Sequence, residues 1–231
     1  MEFLGDVLRD ALELLGAFGS ELREVLGLTI VVSGLATVIG AGIGIPLGIA
    51  LAAGRFRGRT GLTILVNTGM GMPPVLAGLV LLLLLWNQGP LGSWGLLFTP
   101  AAMIAAQSML AIPIAAGVTA GAVRSLPPEA LEHIRAMRLP RGRAGMVLGR
   151  EAWPGVAAAV AAAFGRVVSE VGAVLVVGGN IEGETRVLTT AIVQEARRAE
   201  FGAALALGII LFLLALAVNG VLTWLQLREA R

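Results

Sequence analysis

Cysteine and lysine are both missing from the 231 residues, and Asp, Glu and Arg together make up only 14% of the chain. Each absence excludes some chemistry. Without cysteine there is no disulfide, no thiol nucleophile and no thiolate metal site. Without lysine there is no Walker phosphate loop, no Schiff base and no lysine nucleophile, and all seventeen cations are Arg. The one histidine, His133, has no second ligand type near it and stands in a basic stretch, so it reads as a solvated or interface side chain. No nucleophile–base pair is apparent either, which argues against an enzyme. A soluble chain carries about a quarter charged residues. This one is 57% hydrophobic with a mean hydropathy of +0.88, which marks a polytopic all-α membrane protein.

The charges it does have are sorted into islands. Residues 1–24 carry six carboxylates against Arg9 and Arg23. Within them Phe3, Val7, Leu8, Ala11, Leu14, Leu15 and Phe18 recur at three- and four-residue spacing, which predicts an amphipathic helix along the membrane surface. That stretch lacks the basic start and small-residue cleavage site of a signal peptide. Residues 25–231 read as a single transmembrane domain of five spans, since about twenty apolar residues cross the hydrocarbon. The first span is Val25–Gly54, where Ala36, Gly40, Gly44, Gly48 and Ala52 form a smooth packing stripe. Arg55, Arg57 and Arg59 follow it. The uncharged block Thr60–Val123 divides at Asn87-Gln88-Gly89-Pro90, with Trp86 and Trp94 as interfacial anchors. Span two, Leu62–Trp86, contains Gly69, Gly71, Pro73 and Pro74; span three, Leu96–Val123, contains Pro100, Gln107 and Pro113. Prolines at this depth free backbone carbonyls that need neighbours or a wet cavity. Span four, Pro154–Gly178, holds Arg166 and Glu170, four residues apart and hence expected on one helix face. Span five is Phe201–Leu227.

Between spans three and four lies the one long polar island, Arg124–Glu151, with six Arg against three Glu. Pro127-Pro128-Glu129 predicts a helix start, because Pro is tolerated in the first turn and Glu favours the positive end of the helix dipole. Leu131, Ile134 and Met137-Arg138 continue it as a short amphipathic helix closed by Pro140 and Gly142. A second short helix is predicted from Ala144 to Trp153. Basic loops stay on the cytoplasmic side. With this loop inside, the N-terminus is expected outside and the C-terminus inside. The inner pieces then hold eleven Arg and four acids, net +7, and the outer pieces five Arg and ten acids, net −5.

Three stretches carry a family resemblance: GMPPVLAGLVLLLL, GPLGSWGLLFTPAAMIAAQSMLAIPI and FGRVVSEVGAVLVVGGNIEGETRVLTTAIVQEARRAEF. They resemble tungstate permeases, the transmembrane subunits of ABC importers. Arg166, Glu170, Gly172-Ala173, Asn180-Ile181 and Gly183-Glu184-Thr185-Arg186 are also similar to molybdate permeases. Gly178-Gly179-Asn180-Ile181 with Leu188-Thr189-Thr190-Ala191-Ile192 points to the tungstate branch. The resemblance implies a MetI-like type I importer fold, a homodimer in the inner membrane in contact with lipid. It also implies a homodimeric ATPase partner that binds the ATP and Mg, and an extracytoplasmic oxyanion-binding protein. No cofactor or metal on this chain and no nucleic-acid partner are expected.

The loop 124–153 would then be the element that docks on the ATPase. Its family signature, EAA…G, falls at Glu132-His133-Ile134 with Arg138 in place of the Gly, or in the register of Glu129-Ala130-Leu131. Glu129, Glu132, Arg138, Leu139 and Pro140 are the coupling candidates. A tetrahedral dianion needs hydroxyls, amides and N–H groups along its path, so Ser169, Asn180, Thr189 and Thr190 are candidates for pathway or gate. Arg166 either supplies charge there or is neutralised by Glu170 as a structural pair, which is the preferred reading. Molybdate, sulfate or another oxyanion are alternative cargoes. An ion-coupled secondary transporter is the alternative from another class, disfavoured because no internal repeat is visible.

Overall fold

Hydrocarbon offers the backbone no hydrogen-bond partner, so spanning segments close their bonds within helices. In the computed structural model, which describes residues 2–16 and 19–229, the described residues form eleven α-helices and one 3-10 turn, and no strand. The helices are α1 (Glu2–Gly16), α2 (Ser20–Ala53), α3 (Arg59–Met70), α4 (Pro74–Leu85), α5 (Pro100–Arg124) and α6 (Pro128–Ala136). They continue with α7 (Arg141–Glu151), α8 (Trp153–Val168), α9 (Gly172–Gly178), α10 (Leu188–Arg197) and α11 (Phe201–Glu229). Phe18, placed by spacing on the apolar face of the N-terminal helix, lies outside the described residues.

Helices α2, α5 and α11 are each long and apolar enough to cross a membrane alone. Expected spans two and four each fold as two helices, α3 with α4 bent by 107° and α8 with α9 bent by 57°, so the spans number three, or up to five if each bent pair crosses as one. The breaks have local causes. At the first, Pro73 and Pro74 have no N–H to give, and Pro74 takes the first helical position of α4. The end of α3 is closed instead by Gly71 N to Thr68 O at 3.1 Å and Met72 N to Gly69 O at 3.2 Å. Helix α2 begins at Ser20, earlier than the expected Val25, and its 34 residues reach about 51 Å. The polar segment after span four contains an unpredicted helix, α10.

The chain gathers into two units. One comprises the chain up to Ala36, Pro73–Gln107 and Val168–Ala217. At its centre α4 and α9 cross almost backbone to backbone: a Cβ added at Gly78 would lie 2.8 Å from the Cα of Ala173. Phe98 N donates to Val177 O at 2.9 Å, tying the loop before α5 to the same short helix. Val25, Leu188, Ala191 and Ile210 form a second cluster joining α2, α10 and α11. Helix α1 meets the start of α11 through Phe3, edge-on to Phe201 at 6.0 Å, with Ala11 buried.

The other unit comprises Thr37–Met72, Ser108–Val167 and the chain from Val218. Here the small-residue stripe of α2 lies against α5. Added Cβ atoms at Gly40, Gly44 and Gly48 would come 2.4 Å from Ala111 Cβ, 2.6 Å from Ala115 Cβ and 2.4 Å from Ala116 O. Only glycine permits that approach. The exposed end of α2 is capped by cations: Arg59 Nε donates to Leu51 O at 2.8 Å, and a terminal nitrogen of Arg124 to the same oxygen at 3.4 Å. Two arginines thus satisfy carbonyls that the helix itself leaves unpaired.

Candidate functional site

The polar island folds as the pair α6–α7. Glu129 stands in the first turn of α6, as its position after Pro127-Pro128 predicts. Helix α6 ends at Ala136, and Met137 N still reaches His133 O at 3.2 Å. Arg138 then takes φ 47°, the left-handed region that favours glycine. In the Glu132 register of the expected signature this is the Gly position, and arginine meets the left-handed backbone there at a cost of about 1–2 kcal/mol. Pro140 precedes α7 with φ −55°, and its carbonyl accepts from Ala144 N at 2.9 Å.

What holds the pair is a set of apolar anchors. Ile134 of α6 and Leu148 of α7 are 7% and 5% exposed, and they pack with Val123, Ala152 and Val156. Ile45, Ile49 and Ala52 of α2 lie against the same cluster. Both short helices are therefore fixed to membrane helices rather than hanging as a loop. On the opposite side Glu129, Glu132, His133, Arg138 and Pro140 are exposed, and Leu139 is half-buried. Two methionines join that outer face, Met137 and Met146, the latter 70% exposed. Large apolar side chains left in water on a charged element mark a contact surface, and Met suits one because it adapts its shape. The sequence reading counted Met137 within the amphipathic helix and did not single out Met146, since spacing alone did not show which side of α7 the α2 contact would take.

The second candidate region lies around α9 and α10. Arg166 stands in the last turn of α8, which ends at Val168, so Arg166 and Glu170 do not share one continuous helix as expected. Glu170 is buried in the break and starts a new helix. Its Oε1 accepts from Gly172 N at 2.7 Å and Ala173 N at 3.2 Å, the first free donors of α9. The hydroxyl of Thr189 donates to the Glu170 carbonyl at 3.0 Å, joining α10 to the break. Thr190 closes the first turn of α10 on itself: its hydroxyl accepts from Val187 N at 3.1 Å and donates to Val187 O at 3.0 Å. Ser169 is exposed in the break. Asn180, at φ 56°, donates its amide to Gln194 Oε1. The structure thus brings Glu170 and Thr189 together, pairs Asn180 with a residue of α10, and leaves Thr190 local.

Three residues here escaped the sequence reading as structural agents. Thr185 is fully buried; its hydroxyl accepts from Ile181 N at 2.9 Å and donates to Gly178 O, closing the turn after α9. Gln194 receives Asn180. Thr29 of α2 accepts from Leu188 N at 2.9 Å while donating to Val25 O at 2.7 Å, so it caps α10 from another helix. A threonine within an apolar span carries no sequence signal for such a role. Among the described residues no group of three or more His, Asp or Glu is placed to hold a metal ion.

Comparison with known proteins bears on both regions. The family described as the binding-protein-dependent transport system inner membrane component matches residues 44–231, which include both helix pairs. The chain is 41% identical over 205 residues to a probable anion ABC transporter permease protein of Haloferax volcanii, spanning 87% of this chain and 88% of that one. It is 35% identical over 226 residues to a tungstate uptake system permease protein of Peptoclostridium acidaminophilum, spanning 98% and 99%. A tungstate uptake system permease protein of Campylobacter jejuni is 32% identical over 219 residues, spanning 95% and 92%.

Proposed function

The chain belongs to the family of binding-protein-dependent transport system inner membrane components, and from that premise we propose that it is the permease subunit of an ABC importer for tungstate. One observation carries the coupling role: α6 and α7 are anchored through Ile134 and Leu148 to the membrane helices, while their charged and Met-bearing side faces outward. Such an element transmits force in either direction, because a push on its outer side is delivered to α2 and α5 without slack. The cargo is supported by the near-full-length match to two tungstate uptake permeases.

On this reading a homodimer of the chain is driven by a homodimeric ATPase, which binds the ATP and Mg, and receives its anion from an extracytoplasmic binding protein. The charge sorting supports an outside N-terminus and an inside C-terminus. Glu129, Glu132, Arg138, Leu139 and Pro140 form the ATPase-facing side. Arg166, Ser169, Glu170, Asn180, Thr189 and Thr190 belong to the pathway or its gate. Glu170 acts there by fixing where α9 begins and Thr189 by tying α10 to that break, and the Asn180 amide is the neutral donor that an anion can recruit by displacing Gln194.

The test is uptake by the chain co-reconstituted with its ATPase and binding protein, using labelled tungstate, molybdate and sulfate. Tungstate should enter only when ATP and the binding protein are both present. Sulfate as the only anion moved, or tungstate entry without the binding protein, would sink the assignment.

A further inference from the structure

We propose that the cleft between the start of α2, α10 and the start of α11 binds one phospholipid whose headgroup carries a primary ammonium. The cleft has a volume of about 480 Å³ and lies wholly within one unit. That is within the range of small-molecule sites, enough for a headgroup, the glycerol and the first carbons of a chain. Its floor is apolar, made by Leu22, Val25, Leu207 and Ile210. Its rim is ionic: Glu21, Glu182, Arg186, Glu195 and Arg198. From Ala203 to Ile210 the α11 wall descends about 10 Å, the passage from headgroup level to hydrocarbon. Helix α11 is also the least covered of the three long spans, with 17% of its apolar window buried, so the cleft continues a lipid-facing surface.

The rim selects the headgroup. The Arg186 side chain is only 10% exposed. Its terminal nitrogens are taken by Glu21 at 3.1 Å and Glu182 at 3.2 Å, but its buried Nε–H has no acceptor. A buried donor in this condition is ordinarily met by water, an ion or a ligand. Arg198, 59% exposed and paired with Glu195 at 3.3 Å, lines the same cleft. The two guanidiniums therefore offer donors to a phosphate. Three carboxylates against two guanidiniums leave a net negative rim, which disfavours a simple anion. A zwitterion resolves the conflict: the phosphate accepts from Arg198 and, once the Arg186 side chain shifts to uncover it, from the enclosed Arg186 Nε, while the ammonium donates to the exposed carboxylates of Glu21 and Glu182. A quaternary choline has no N–H to donate, and a glycerol headgroup has no positive charge. Phosphatidylethanolamine fits both halves of the rim.

Native mass spectrometry of the full chain, released from micelles holding equal amounts of phosphatidylethanolamine, phosphatidylcholine and phosphatidylglycerol, tests this. One phosphatidylethanolamine per chain should survive, about tenfold over either competitor, the ratio expected from one charge-assisted hydrogen bond. Arg198→Gln, at an exposed position, should reduce that preference. Ala203→Phe, which fills the cleft, should abolish retention. Leu216→Ala, on the exposed side of α11 away from the cleft, should leave it unchanged. Equal retention of the three lipids, preference for phosphatidylglycerol, a lipid-free wild type, or undiminished binding by both cleft variants would each overturn the proposal. None of these outcomes depends on the cargo.

Discussion

The contact between α2 and α5 can be tested inside a single helix. Gly48 and Gly42 both lie in α2, six residues apart. A Cβ at Gly48 would stand 2.4 Å from Ala116 O, 2.8 Å from Thr119 Cβ and 3.0 Å from Ala120 N, whereas one at Gly42 would meet nothing within 4 Å. Two of the three Gly48 neighbours are backbone atoms, so no side chain can turn away. The helices must part by about 1 Å to restore ordinary contact, and a gap of that size forfeits a quarter to a half of each dispersion contact along the seam. Overpacking of this kind costs about 1–3 kcal/mol. Both substitutions to Ala gain the same helix propensity, at most about 1 kcal/mol, so their difference isolates the clash. Gly48→Ala should unfold about 4–8 °C below Gly42→Ala, taking 2 kcal/mol as the midpoint, when tryptophan fluorescence is followed during heating in one detergent. Because Ile45 and Ile49 of α2 also anchor α6 and α7, the same variant should lose ATP-driven uptake while Gly42→Ala keeps it. Equal midpoints for the two variants would refute the close-packed seam.

Other outcomes follow from single contacts. Glu170→Ala removes the acceptor for two α9 N–H groups and should cost about 1.5–3 kcal/mol; Glu170→Gln keeps one acceptor and should lose less, measured by the same thermal midpoint. Ile134→Ala should destabilise by about 2–4 kcal/mol through the cavity it leaves, whereas Glu132→Arg, on the exposed face, should leave the midpoint unchanged and uncouple ATP hydrolysis from uptake in proteoliposomes. Arg138→Gly should raise stability by about 1 kcal/mol, because glycine relieves the left-handed φ of 47°; a fall in the midpoint would show that the Arg138 side chain itself is holding the turn. A tag between Ile181 and Thr185 should be reachable from outside intact cells and one at Arg141 protected; external labelling at Arg141 would reverse the orientation.

Some of the fold was legible along the chain because the membrane asks one-dimensional questions. Whether a segment leaves water depends on its summed apolar surface, so hydropathy alone separated the long apolar helices α2, α5 and α11 from the central polar island. Pro127-Pro128-Glu129 marked the start of α6 because proline acts on its own backbone, but the second helix, expected from Ala144 to Trp153, runs from Arg141 to Glu151, so Gly142 lies inside it rather than closing the first. The stripe at Gly40, Gly44 and Gly48 was readable as a close contact, though not that Ala111, Ala115 and Ala116 would meet it. The breaks inside spans two and four were only half visible: Pro73-Pro74 announced one, while nothing in Val168-Ser169-Glu170 announced the other. Spacing put Arg166 and Glu170 on one continuous helix, whereas α8 ends at Val168, between them. Where a helix stops is decided by which groups can satisfy the freed N–H and C=O, and those groups come from elsewhere. Glu170 receives α9, Thr29 receives α10 from 159 residues away, and Arg124 closes α2 from 73 residues away. Periodicity records which face of a segment is apolar. It does not record which distant side chain arrives to complete a backbone end, because that partner exists only once the helices have packed.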